Sequence, residues 1–242
     1  MSFLPENAPN APERLTMNRL WEDVLQAFDI ERGVLYTFFM LKVRPYWTVR
    51  TYLFEDRTRL TNPFKFLAIS ITLSAIVLFN TDLFKNAIIE DAKLEQDLSQ
   101  KELNEKFVHA TYQLINDTYA FSYMLIIPIL ALFSWLFFPR RILFLGEHVV
   151  IHSYLSASWN LVTVLFSPLL YFYPQTFTFL VILVMAGNFI YVLIVYRHFG
   201  SWSWGRAMIY AMLSYGIGMI IASVLYWLLI LGGAAWQVAR AS

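Results

Sequence analysis

The sequence contains no cysteine. That absence excludes disulfides, thiolate metal sites and thiol nucleophiles together. Charge is scarce too: 14% of residues are Asp, Glu, Lys or Arg, against about 25% in an ordinary soluble domain. The signs nearly cancel, leaving +1, so no basic excess argues for nucleic acid as a partner. No G-x-S-x-G, Walker or Gly-rich nucleotide motif occurs. No internal repeat is present, and no second soluble region is large enough to carry its own core.

What fills the chain is apolar. It is 58% hydrophobic and 18% aromatic, a composition that points to the bilayer. Met1 to Arg14 holds Pro5, Pro9 and Pro12 and lacks the basic-then-apolar order of a signal peptide. It reads as a disordered cytoplasmic tail. Residues 15–61 read as amphipathic and interfacial helices, beginning with Leu15 to Ile30, where Leu20, Val24 and Ala27 share a face. Val34 to Leu41 is too short for a span of about 20 apolar residues, and Lys42, Arg44 and Pro45 interrupt it. Pro45 suits the first turn of a second short helix. Both helices are expected to lie on the membrane, with Lys42, Arg44, Arg50, Arg57 and Arg59 on anionic headgroups.

Residues 62–233 read as a five-span membrane domain. Asn62 as N-cap and Pro63 at the first helical position open the first span, Phe64 to Phe79. An extracytoplasmic helical loop is expected at about 82–116. Its stretch from Asp82 to His109 holds seven acidic residues against four lysines. The second span is Tyr119 to Phe138, with a kink expected at Pro128. The third runs from Glu147 to Ser167, closed by Pro168. The fourth is Phe177 to Tyr196, and the fifth Ala207 to Leu231, ending at Gly232-Gly233. Ser214, Gly218 and Ala222 form a small-residue seam for close packing. Lys and Arg cluster before Phe64, at Arg140-Arg141 and from Arg197 to Arg206. The positive-inside rule makes those turns cytoplasmic, with the N-terminus inside and the tail, 234–242, outside. The expected fold class is therefore an all-α integral membrane protein.

The third span carries the chemistry. Glu147 and His148 stand at its start. His152, Ser156, Thr163 and Ser167 follow His148 within roughly 100° of the helical wheel, and Asn160 lies just beyond. Such a stripe must face other helices or water, because hydrocarbon offers a polar group no partner. Asn188 in the fourth span is a buried amide placed to meet it. Three readings stay open. The stripe is interhelical glue, with Glu147 paired to Arg140 or Arg141. Or it lines a proton or ion pathway, since histidine titrates near neutrality. Or His148 and His152, one turn apart, share a metal, with no obvious third ligand. E-H-x-x-x-H is not the H-E-x-x-H of zinc proteases, in which the glutamate lies between the histidines.

Several short motifs resemble an uncharacterised bacterial integral membrane family, known as a domain of unknown function. They are Gly33-Val34-Leu35-Tyr36-Thr37-Phe38, Arg44-Pro45, Tyr52-Leu53, Arg57, Arg59, Asn62-Pro63-Phe64-Lys65-Phe66 and the Glu147-His148 pair opening a span, with Val150 and Tyr154. The resemblance extends by layout over residues 30 to 230. Tyr46 stands where the family has glycine after Arg-Pro, and Glu55-Asp56 where glycine is common. The cysteine-rich zinc ribbon that opens many members is absent from this sequence, and His152 does not carry over. The resemblance implies a membrane location and no established activity. The five-span layout is also similar to that of a family of membrane-trafficking proteins.

The expected function is a bacterial inner-membrane protein handling a small solute, ion or lipid. Its polar site would lie near the cytoplasmic face, built from Glu147, His148, His152, Arg140, Arg141 and Asn188. The alternatives are a non-catalytic scaffold or accessory subunit of a larger complex, and a membrane-embedded metal-dependent lipid enzyme. The reading leans away from an enzyme and calls for no cofactor. The expected partners are anionic lipids, with a second copy of the chain or a membrane complex as further partners.

Overall fold

Asn62 and Pro63 begin the first long helix. The Asn62 side-chain oxygen accepts the amide N–H groups of Phe64 at 3.0 Å and Lys65 at 3.4 Å. Pro63 takes the first helical position, where its missing N–H costs nothing. The structure, a computed structural model, describes residues 33–80, 101–139, 142–173 and 176–241. The helix expected at Leu15 to Ile30, the acidic stretch up to residue 100, and Arg140 and Arg141 lie outside the described residues.

The described chain is helical, with no strand. Two short helices, α1 (Leu35–Val43) and α2 (Pro45–Arg50), precede α3 (Pro63–Asn80). Then come α4 (Lys101–Phe137), α5 (Leu145–Phe172) and α6 (Phe177–Gly200). The last span is compound: α7 (Trp204–Ala211), a π turn at Met212–Gly216, and α8 (Ile217–Ala241). Five stretches are long and apolar enough to cross a membrane: Arg57–Phe79, His109–Phe137, Leu145–Leu169, Thr178–Gly200 and Trp204–Trp236. The chain is an all-α multi-pass membrane protein.

Three boundaries differ from expectation. Pro168 does not close the third span; it lies inside α5. A proline orphans the carbonyl four residues earlier, here that of Val164. The Ser167 hydroxyl donates to that carbonyl at 2.6 Å, so the helix continues. Gly232-Gly233 does not end the fifth span, because α8 runs on to Ala241. Gly233 instead seats α8 against α4: a Cβ there would come within 3.0 Å of Leu114. The second span is continuous with residues from Lys101 onward. At 1.5 Å per residue its 37 residues reach ~55 Å, well beyond a hydrocarbon core of about 30 Å.

The seam at Ser214, Gly218 and Ala222 does what its spacing requires. A Cβ on Gly218 would stand 3.1 Å from Leu130 and 3.5 Å from Phe133, so α8 packs closely along α4. The other extensive pair is α3 with α5. Helix α5 is the hub, touching α1, α2, α3, α4 and α6. Half of its span is buried, against 22–28% for the other four. A central helix can carry the polar stripe because its neighbours, not lipid, surround it.

The end bearing Arg44, Arg57, Arg59, Arg197 and Arg206 is the basic end of the bundle. There α1 and α2 are tied down by hydroxyls. Thr61 donates its N–H to the Thr37 hydroxyl at 3.0 Å, Tyr154 donates to the Thr61 carbonyl at 2.6 Å, and Tyr191 to the Lys42 carbonyl at 3.0 Å. Tyr46 stacks on His198 at 4.7 Å and meets Phe199 at 5.0 Å. Phe66, Tyr154 and Tyr196 are fully buried near this end. In lipid, such packing and hydrogen bonding replace the hydrophobic drive of soluble folding.

Candidate functional site

The stripe on α5 is resolved into two connected parts. The first is a buried histidine pair. His148 and His152 are 0% and 1% exposed. Nδ1 of His148 lies 2.6 Å from the Tyr196 hydroxyl on α6, and the rings stack at 5.3 Å and 16°. Nε2 of His152 lies 2.7 Å from the Ser134 hydroxyl on α4. The Ser134 carbonyl accepts from Tyr210 at 2.9 Å, and the Tyr210 carbonyl from Ser214 at 2.8 Å. Phe138 fills the centre, with ring contacts of 5.1 to 5.6 Å to Trp202, Tyr196, Tyr210 and His148. These bonds aim the two imidazoles at different helices. Among the described residues no group of three or more His, Asp or Glu side chains is placed to hold a metal ion. Nε2 of His148 is buried without a hydrogen-bond partner.

The second part lies one turn deeper. Tyr215, on the π turn, stacks on His152 at 6.5 Å and 13°. It also lines a cavity of about 300 Å³ among α4, α5, α6 and the last span. Its wall is mostly apolar, with Ser156, Asn160, Asn188, Tyr119, Tyr123 and Tyr226 among its residues and, among the described residues, no charged side chain. The Asn160 side-chain oxygen accepts from Tyr123 at 2.6 Å, and its backbone carbonyl from Ser74 at 3.3 Å. The Asn160 amide nitrogen is buried and finds no partner. A buried donor left unpaired costs about 1–3 kcal/mol. Asn160 lines the recess, but this nitrogen is itself covered. The π turn places Tyr215 in this wall; such turns often occur at functional sites.

The sequence-derived site is therefore divided. His148 and His152 share one network. Asn188 belongs to the cavity, which neither Glu147 nor His148 lines. Glu147 joins neither part. Half-buried, it accepts the backbone N–H of Phe144 at 2.7 Å and caps the start of its own helix. The residues that sequence reasoning missed are the partners, Ser134, Tyr196, Tyr210 and Tyr215, together with Tyr123. Of these, Tyr215 alone carried a signal, a tyrosine well inside a span rather than in an interfacial belt.

The basic residues near the basic end also divide. Arg44, Arg57 and Arg59 are exposed. Arg50 is 3.5 Å from Glu55 and lies over Trp47 at 5.0 Å. Lys42 turns inward. Its ammonium sits 3.6 Å from the Trp159 ring centre, 5.1 Å from Tyr191 and 5.6 Å from Phe38. The nitrogen is covered and has no hydrogen-bond partner. Desolvation takes its pKa down from 10.5 to about 7. The indole fits because residue 187 is glycine; a Cβ there would overlap Trp159.

Comparisons of the sequence with known families and with curated proteins, and of the fold with solved structures, find no match.

Proposed function

We propose that this chain is a bacterial inner-membrane protein that binds a small uncharged hydrogen-bonding group in the cavity between Asn160 and Asn188. The observation that carries the reading is the cavity wall: apolar side chains and aromatic faces with Asn160, Asn188 and Ser156 among them and, among the described residues, no charge. An ion would need a counter-charge or a shell of oxygen ligands; a neutral solute or headgroup needs only donors and acceptors. The basic end then faces the cytoplasm, as the placement of Lys and Arg implies. The motif resemblance to a family of unknown function is part of the same proposal.

A scaffold or accessory subunit is the second reading. The histidine network favours it, because its three hydrogen bonds join five residues across helices, as interhelical glue would.

The chain has no native cysteine, so single introduced thiols report cleanly. Methanethiosulfonates react with thiolate, which needs water. Ser156→Cys and Asn188→Cys in native membranes are expected to react with methyl methanethiosulfonate and not with a charged analogue. A dry interior would leave both unreactive and favour the scaffold. Orientation is tested by Tyr173→Cys and Ser201→Cys, at opposite ends of α6. An impermeant reagent on intact cells is expected to label the first alone.

A further inference from the structure

A second recess lies on the other side of Tyr123. It is a groove of about 430 Å³ among α3, α4 and α5. That volume falls within the usual range of ligand pockets, roughly 300–1,000 Å³. Its walls are apolar: Leu67, Ala68 and Ile71 from α3, Met124 and Ile127 from α4, and Val149 from α5. The groove exists because α3 follows α5 closely and touches α4 much less, while the small Ala68 and Ala120 do not fill the gap. These helices are membrane spans, so the groove opens among hydrocarbon.

Tyr123 lines both recesses. Its hydroxyl is bound to Asn160 on the cavity side. Asn160 on the cavity side and Ser153 on the groove side flank it. An apolar slot and a mostly apolar recess edged by Asn160, Asn188 and Ser156 share one tyrosine, an arrangement that suits an amphipathic molecule with a small polar head.

Resting on the cavity reading above, we propose that the pair of recesses is one site for an uncharged lipid, its hydroxyl- or carbonyl-bearing head in the cavity and its hydrocarbon chain in the groove. The head hydrogen-bonds Asn160 and Asn188, and Tyr123 turns aside at the junction. A phospholipid is disfavoured, because among the described residues no Lys or Arg lines either recess to meet a phosphate.

The test uses the full chain in proteoliposomes with a monoacylglycerol carrying a diazirine in its acyl chain. Saturable labelling of the segment from Ala120 to Pro128 is expected. Unlabelled monoacylglycerol displaces it, and lysophosphatidic acid of the same chain does not. Ala120→Trp, which fills the groove, is expected to reduce this labelling about tenfold or more, as is Asn160→Leu, which removes the head contacts. Asn188→Leu serves in place of Asn160→Leu if that variant does not fold. Monoacylglycerol is also expected to slow the reaction of Ser156→Cys with methyl methanethiosulfonate about tenfold. Non-saturable labelling spread over all the spans, or displacement by lysophosphatidic acid and monoacylglycerol alike, overturns the proposal. If Ser156→Cys reacts but the lipid neither protects it nor labels saturably, the lipid assignment fails and the cavity reading stands. If Ser156→Cys does not react at all, with or without lipid, the cavity reading itself fails.

Discussion

The hydroxyl of Tyr196 and Nδ1 of His148 stand 2.6 Å apart across two spans, under a stacked pair of rings. The contact joins the hub helix α5 to α6 where neither group meets solvent. Whichever of the two carries the proton, removing one strands the other.

Tyr196→Phe keeps the ring and deletes the hydroxyl. It is expected to lower stability by about 1–3 kcal/mol, the cost of a buried group left unpaired. His148→Ala should cost more, since it also leaves a cavity. In a double-mutant cycle the pair should show coupling of about 0.5–3 kcal/mol. Thermal unfolding in detergent measures all three. Additive losses would mean that the contact holds nothing together.

Glu147 is a helix cap, and its variants should behave as caps do. Glu147→Gln retains an acceptor for the Phe144 N–H and is expected within about 0.5 kcal/mol of the parent. Glu147→Ala loses the acceptor and should cost about 1 kcal/mol. A loss of about 3–5 kcal/mol on Glu147→Ala, the range for breaking a buried ion pair, would place the carboxylate in a charged site instead.

Gly187 is the floor beneath Trp159. Gly187→Ala forces the indole aside and should cost about 1–3 kcal/mol, the range for overpacking. Trp159→Ala removes the clash, so the double variant should be less destabilised than the sum of the singles. Full additivity would show that the ring does not rest on this position.

Lys42 supplies a pH dependence. Its folded pKa, about 7, lies below the ordinary lysine value of 10.5. Between those limits the unfolded chain holds a proton that the native protein has released, so stability rises with pH across that window. Below about pH 7 both states are protonated and this contribution no longer changes. Lys42→Met keeps the apolar stem and should flatten the rise. The attraction of the Trp159 face for the ammonium opposes the desolvation, so Trp159→Leu should extend the rise to lower pH. Urea unfolding of both variants in micelles between pH 6 and 10 provides the measurement. An unchanged slope in Lys42→Met would mean that the amine is hydrated.

The local chemistry of this chain was decided by residue type and spacing. Asn62 and Pro63 start a helix wherever they occur in that order, because one accepts orphan amides and the other has none to lose. Long apolar runs must become helices in a bilayer, since each backbone group needs a partner within its own segment. The small-residue seam and the polar stripe on α5 were legible for the same reason, as periodicities of a single helix. Helix ends were less legible. Ser167 rescues the carbonyl freed by Pro168, and Leu114 on another helix gives Gly233 a packing role in place of a terminal one. The partners of the stripe were not legible at all. Tyr196 lies 48 positions from His148, and no period links them. Lys42 carries the same side chain as a headgroup-binding lysine; only the arrival of Trp159 and Tyr191 from two other helices turns it inward. The cavity, the groove and the tyrosine between them exist because five helices diverge at particular angles, and that geometry belongs to the packed bundle rather than to any stretch of the chain.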